Sequence, residues 1–273
     1  MNPPTLPTGF IFSQGSLQDY TDCPRRFQLR YMEQLVWPAV ESEPALENER
    51  RQLEGQLFHR MVQQYSLGIP PEKILSQVSS PDLQRWWENF IQHPIGLPTH
   101  SQQTELSLST PLGGKYRLTA KYDLVAIQPG NDIQIFDWKT YSKRPRDEFL
   151  VNRWQTRVYR LLMVEAGRLL FGGSPIKPEV VSMTYWFTEY PTQPARFVYT
   201  TAQYARDKNI LEKMVEEISA RSDFPKTDEE RKCSFCIYRS LCDRKVVIGE
   251  DYFLEEEPAE PDINFEQVQE IAF

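Results

Sequence analysis

The chain lacks any apolar run long enough to span a bilayer, which takes about 20 residues. Residues 1–10 are proline-rich and lack the basic-then-apolar pattern of a secretory signal. A cytosolic protein is the expectation. Cysteine is scarce, four among 273 residues, and a cytosolic setting argues against disulfides. No G-x4-G-K-[ST] phosphate loop occurs, so the chain carries no nucleotide-driven motor of that kind. Internal repeats and low-complexity blocks are also missing.

Basic residues are missing from residues 250–273, which hold nine acidic residues and no Lys or Arg. The formal net charge of −7 comes from this tail, because the rest carries 31 basic against 29 acidic residues. A nearly neutral body with local basic stripes is compatible with a nucleic-acid partner. Hydrophobic residues make up 40% of the chain, enough for one large buried core. The expected organisation is an extension over 1–15, a body over 16–245 and a flexible acidic tail over 246–273.

Periodicity places helices over 16–32 (Ser16 as N-cap), 49–65, 81–91, 147–170 and 201–221. Residues 38–48 read as a polar connector. Strands are expected over 104–110, 116–127, 133–140, 179–188 and 195–200, with a turn at 129–132. On the helix over 147–170, Leu150, Trp154, Val158, Leu161 and Leu162 share an apolar face. Helices before and after a small sheet indicate an α/β fold with a central mixed sheet.

The four cysteines are Cys23, Cys233, Cys236 and Cys242, the last three as C-x2-C-x5-C. In a cytosolic setting four thiolates suit a metal, either tetrahedral zinc or a four-iron cluster, and spacing leaves both open. Either would tie the first helix to the C-terminal segment.

Chemistry concentrates on two strands. Asp123 lies in Lys121-Tyr122-Asp123, and Asp137 and Lys139 flank Trp138. Residues two apart on a strand share a face, so Asp137 and Lys139 project together while Trp138 turns to a core. A hairpin would bring Asp123 to the same patch. Two carboxylates can hold Mg²⁺ or Mn²⁺, and an ammonium beside them suits phosphodiester hydrolysis. Alone, Asp-x-Lys reads more readily as a surface ion pair on a strand. Gly55 and His59 lie one turn apart on a helix, the glycine permitting close approach of another backbone. Gln155 and Tyr159 share one helix face, and Arg153, Arg157 and Arg160 form a separate stripe that could pair with phosphates.

Taken in order, these motifs resemble the PD-(D/E)XK nucleases of the RecB and AddB type, including CRISPR-associated RecB-like nucleases. The similarity covers residues 13–245: Ser16-Leu17, Tyr20, Cys23-Pro24, Phe27 and Tyr31; Gly55-x3-His59; Asp123; Asp137-Trp138-Lys139-Thr140; Gln155-x3-Tyr159; and the three late cysteines. The usual Gly-Arg before the first acidic residue appears here as Ala120-Lys121-Tyr122, and the proline of the family name is absent.

The resemblance implies a restriction-endonuclease-like core whose N- and C-terminal segments are joined by a 4Fe-4S cluster on Cys23, Cys233, Cys236 and Cys242. It implies His59, Asp123, Asp137 and the Trp138 carbonyl as ligands of a catalytic Mg²⁺ or Mn²⁺, Lys139 as catalytic, and Glu105 as an accessory carboxylate. It assigns DNA contact to Gln155 and Tyr159. The implied activity is exonucleolytic cutting of single-stranded DNA in repair or recombination. CRISPR spacer processing, or a non-catalytic iron–sulfur DNA-binding subunit, is the alternative. A helicase or a CRISPR integrase is the implied partner. The end Gln269-Glu270-Ile271-Ala272-Phe273 resembles tails that dock into the bacterial sliding clamp.

Overall fold

A computed structural model of the chain describes residues 5–35, 43–95, 101–127, 132–171, 173–233 and 236–244. The expected turn at 129–132, apart from Asp132, and the acidic tail with its clamp-like end lie outside the described residues.

The first strand, β1 (Ile11–Phe12), buries Phe12 and joins the sheet, so the segment read as an extension already belongs to the body. Helix α1 (Gln14–Asp22) starts two residues before the expected N-cap. Ser13 is the true cap, in a reciprocal capping box with Ser16 at N3. The expected helix over 16–32 is broken at Cys23, whose backbone is extended at φ −161° and ψ 107°. Pro24 explains the break, because its ring disfavours helical geometry in the residue before it. Helix α2 (Pro24–Phe27) follows and runs into a π-turn over Gln28–Met32.

Helix α3 (Glu43–Ser66) starts earlier than expected and absorbs part of the presumed connector. Helices α4 (Pro71–Leu75) and α5 (Pro81–Gln92) follow, the latter capped by the Ser80 hydroxyl. Three strands come next: β2 (Gln102–Leu112), β3 (Tyr116–Ile127) and β4 (Ile133–Lys139). The expected helix over 147–170 is two pieces, α6 (Asp147–Leu150) and α7 (Trp154–Ala166). The Thr156 hydroxyl captures the Leu150 carbonyl at 2.6 Å, and Arg153 is extended, which ends the first piece. Strands β5 (Val181–Phe187) and β6 (Ala195–Val198) and helix α8 (Thr201–Ala220) complete the body.

The six strands form one mixed sheet in the order β1-β3-β4-β5-β6, with β2 also paired to β3. Strands β2 and β3, β3 and β4, and β5 and β6 are antiparallel; β1 with β3 and β4 with β5 are parallel. Strand β3 shares one edge between two short partners. Strand β1 meets it at Arg117 and Leu118, and β4 meets it from Leu124 to Ile127. Asp123 falls just outside the second ladder, where β3 and β4 part.

The sheet is covered on both faces. Leu118, Ala120, Tyr122, Ile133, Ile135, Met183 and Tyr185 pack with α1, α7 and α8 in one core cluster. Leu124, Ala126, Phe136, Trp138 and Trp186 pack with Phe58 of α3 and Trp86, Trp87 and Phe90 of α5 in a second. Trp186 is 0% exposed, stacks on Phe58 at 6.1 Å and meets Phe90 and Trp138 edge-on. Trp186→Ala should therefore cost about 3–5 kcal/mol, a large-to-small cavity loss, read as a lower urea midpoint.

Candidate active site

On β3 the strand alternation slips by one residue at Asp123. Leu118, Ala120 and Tyr122 face the first core cluster, whereas Leu124 and Ala126 face the second. On β2, Glu105 lies across from this point, between the Thr104–Leu124 and Leu106–Tyr122 pairs, with φ +56°. Such local irregularities re-aim side chains next to functional sites. Asp123 is turned into the fork, and its Oδ2 accepts from the Trp138 backbone N–H at 2.9 Å. Its Oδ1 lies 3.2 Å from Nδ1 of His59 on α3.

From β4, Asp137 and Lys139 project together toward α7, as the two-residue spacing predicts. Asp137 is 2% exposed and Lys139 6%. The Lys139 ammonium lies 3.0 Å from Asp137 Oδ2. It also lies over the rings of Tyr141 at 5.8 Å and Tyr185 at 5.4 Å. Gln155 donates from Nε2 to Asp137 Oδ1 at 2.8 Å. The hairpin reading is thus realised, and Asp123, Asp137, Lys139 and His59 share one site at the fork.

The four charges balance one another. Burial alone would raise the Asp123 carboxyl, but the His59 charge, hydrogen bonds from His59 and Trp138, and Lys139 hold it below its ordinary value. Burial would favour a neutral His59 ring, yet Asp123, and more weakly Asp137, lift its pKa to about 9 against the opposing Lys139. Among the described residues, no three His, Cys, Asp or Glu side chains converge as a metal-binding group. Each carboxylate instead faces a protein cation, the kind of charge a divalent ion would supply.

Gly55 has a different role from the expected backbone approach. A Cβ there would stand 3.1 Å from Thr140 Oγ1, so the glycine makes room for the side chain that follows Lys139. Gln155 and Tyr159 do share a face of α7, as the spacing predicts, but both are buried at 2% exposure. They position the site rather than present a contact surface. The Tyr159 hydroxyl donates to the Lys121 carbonyl at 2.6 Å, and the Tyr122 hydroxyl donates back to the Tyr159 carbonyl at 2.9 Å. Gln155→Leu should leave Asp137 without its amide donor, lower stability by about 1–3 kcal/mol and slow any Asp137-dependent reaction; melting and activity assays read both.

Glu105 pairs with Lys121. The arginine stripe does not join the site. Arg157 lies two helix positions, about 200°, from Gln155, and Arg153 precedes α7 as its extended N-cap. Arg153 covers Phe149 at 5.3 Å. Arg157 donates to Asn152 at 3.1 Å and lies 3.9 Å from Asp207 on α8. Arg160 is buried, donates to the Thr156 and Val198 carbonyls and stacks on Tyr199 at 4.5 Å, a structural role. Tyr122 and Thr140 lie within the motifs named from the sequence but have no role assigned there, because each acts through a helix distant in the chain.

The four cysteines, all free thiols, line one small cavity with Arg26, Lys226, Lys232, Arg239 and Arg244. Cys23 caps α1, and Cys233 ends a 3₁₀ turn over Glu230–Cys233. The two segments are also joined directly, by Arg25 N–H to the Pro225 carbonyl at 3.1 Å and by the Tyr238 hydroxyl to the Leu35 carbonyl at 2.9 Å. Burial pushes the Cys236 thiol up to about 11.

Residues 11–243 match the PD-(D/E)XK nuclease superfamily, and the chain belongs to that superfamily. Among solved structures, SSO0001 is similar at 15% identity and a TM-score of 0.39, over 87% of this chain and 88% of that one. A presumptive exonuclease from Eubacterium rectale is similar at 11% identity and a TM-score of 0.47, over 87% and 89%. No curated protein sequence matches the chain significantly. Among the described residues no helix is long and apolar enough to cross a membrane.

Proposed function

We propose that the chain is a metal-dependent deoxyribonuclease that digests single-stranded DNA from an end, in repair or recombination. One observation carries this reading: Asp123, Asp137, Lys139 and His59 converge where β3 and β4 part, Asp137 and Lys139 buried and Asp123 and His59 half-buried. Two carboxylates, an imidazole and a carbonyl form a donor set suited to Mg²⁺ or Mn²⁺. Asp123, Asp137, His59 and the Trp138 carbonyl would hold such an ion. When bound, it would neutralise phosphate charge and lower the pKa of a water.

The rest falls to the chain. Gln155 fixes the Asp137 carboxylate. Lys139, set between Asp137 and two aromatic rings, orients the attacking water and offsets the negative charge that develops on the phosphate. The Tyr122–Tyr159 hydrogen bonds hold α7 on β3 and keep Gln155 in place. Glu105, opposite Asp123, is an accessory carboxylate that Lys121 holds.

The four cysteines would hold a 4Fe-4S cluster. The four thiols line one cavity whose cations complement anionic thiolates, and they would have to draw closer around the cluster, since among the described residues no three of them converge as a metal-binding group. The role is structural, a clasp between the α1–α2 segment and the C-terminal part of the body. A helicase or a CRISPR integrase is the partner class that fits this reading.

The test uses end-labelled linear and circular single-stranded DNA with Mg²⁺, Mn²⁺ or EDTA. Short products from the linear strand alone, abolished by EDTA, are expected. Equal cutting of the circle would make the enzyme an endonuclease, and no cutting with either metal would overturn the reading.

A further inference from the structure

The segment between β4 and α6 leaves the site directly after Thr140 and carries three cations, Lys143, Arg144 and Arg146. It has no helical or strand ladder of its own, yet it is held at several points. The Tyr141 ring lies against Phe187 at 6.2 Å. The Ser142 carbonyl accepts from the Tyr190 hydroxyl at 3.3 Å. Pro145 is buried. Arg144 donates to the Gln193 carbonyl at 2.8 Å, the Pro145 carbonyl at 3.1 Å and Asp147 at 2.6 Å, and covers the Phe187 ring at 5.3 Å.

Arg144 thus spends its charge and donors on the protein, and it occupies the Asp147 carboxylate. Lys143 and Arg146 are different. Both are exposed, and neither side chain has a hydrogen bond or ion pair among the described residues. A fixed loop presenting two unpaired cations costs little ordering entropy when an anion arrives. Lys143 is only four residues beyond Lys139, so its Cα lies within roughly 14 Å of the Lys139 Cα by chain length alone.

We infer that Lys143 and Arg146 form a phosphate clamp that grips the nucleic-acid backbone beside the phosphate being cut. The inference rests on the nuclease reading and adds to it the surface that positions the strand. The ligand chemistry is the sugar–phosphate backbone, read by charge and not by base. Arg144 is the brace that holds the clamp, and Tyr141 links its base to Lys139.

Each phosphate contact on a single strand contributes about 0.7 to the slope of log affinity against log salt concentration. Binding of the full chain to a fluorescent oligothymidylate, followed by anisotropy without added divalent metal, reads that slope. K143A/R146A should flatten it by about 1.4 and weaken binding most at low salt. K143R/R146K should restore the wild-type slope, which a merely structural loop defect would not allow. K115A, in the exposed turn between β2 and β3, should leave the slope unchanged.

A wild-type slope in K143A/R146A, with normal wild-type binding and cleavage, overturns the clamp and leaves the nuclease reading standing. An equal loss in K115A overturns it too, because the effect would then be one of overall charge. A wild-type chain that neither binds nor cuts the strand overturns both.

Discussion

Asp137→Asn is expected to reduce cleavage by about 10²–10³-fold, the loss typical of removing one preorganised electrostatic contact. The substitution is nearly isosteric. An Asn oxygen can still accept the Gln155 Nε2 hydrogen that now reaches Asp137 at 2.8 Å. What disappears is the charge. Lys139, 3.0 Å away and 6% exposed, loses its nearest counterion, and removing one partner of a buried pair costs about 3–5 kcal/mol. The variant should fold, melt earlier and bind single-stranded DNA while failing to cut it. Single-turnover cleavage beside a denaturant titration separates the two effects. Full activity with lowered stability would place the chemistry elsewhere.

Cys233→Ala is expected to produce the largest loss of stability. Cys233 is buried and lines the cavity with Cys23, Cys236 and Cys242. Metal binding by such a set is folding energy, several kcal/mol at the least, and the melting temperature should fall by on the order of 10 °C or more. Anaerobically purified wild type should be brown and contain iron, and the variant should be colourless. A colourless, zinc-loaded wild type would keep the clasp and remove the cluster. Equal melting of both proteins, with no metal in either, would remove the clasp as well.

Much of the site could be read in the sequence because its logic is local. Asp137 and Lys139 share a face through the two-residue spacing of a strand. Gln155 and Tyr159 share one through the four-residue spacing of a helix. Strand β3 runs over the residues its apolar pattern indicates. Other features needed the whole chain. The break between α6 and α7 depends on Thr156 taking the Leu150 carbonyl. The use of Gly55 depends on Thr140, 85 positions later in the chain. Gln155 and Tyr159 looked like surface contacts, and only the packing of α7 on the sheet shows them buried. The break at Cys23 is a different case, since Pro24 announced it.

Catalysis at Asp137 and Lys139 is the core of the proposed function. Its most direct test is Mn²⁺-dependent cleavage of single-stranded DNA by wild type and Lys139→Ala at matched concentration. Products are expected from wild type, and at least about a hundredfold less from the variant. Equal rates, whether at background or above it, would contradict it.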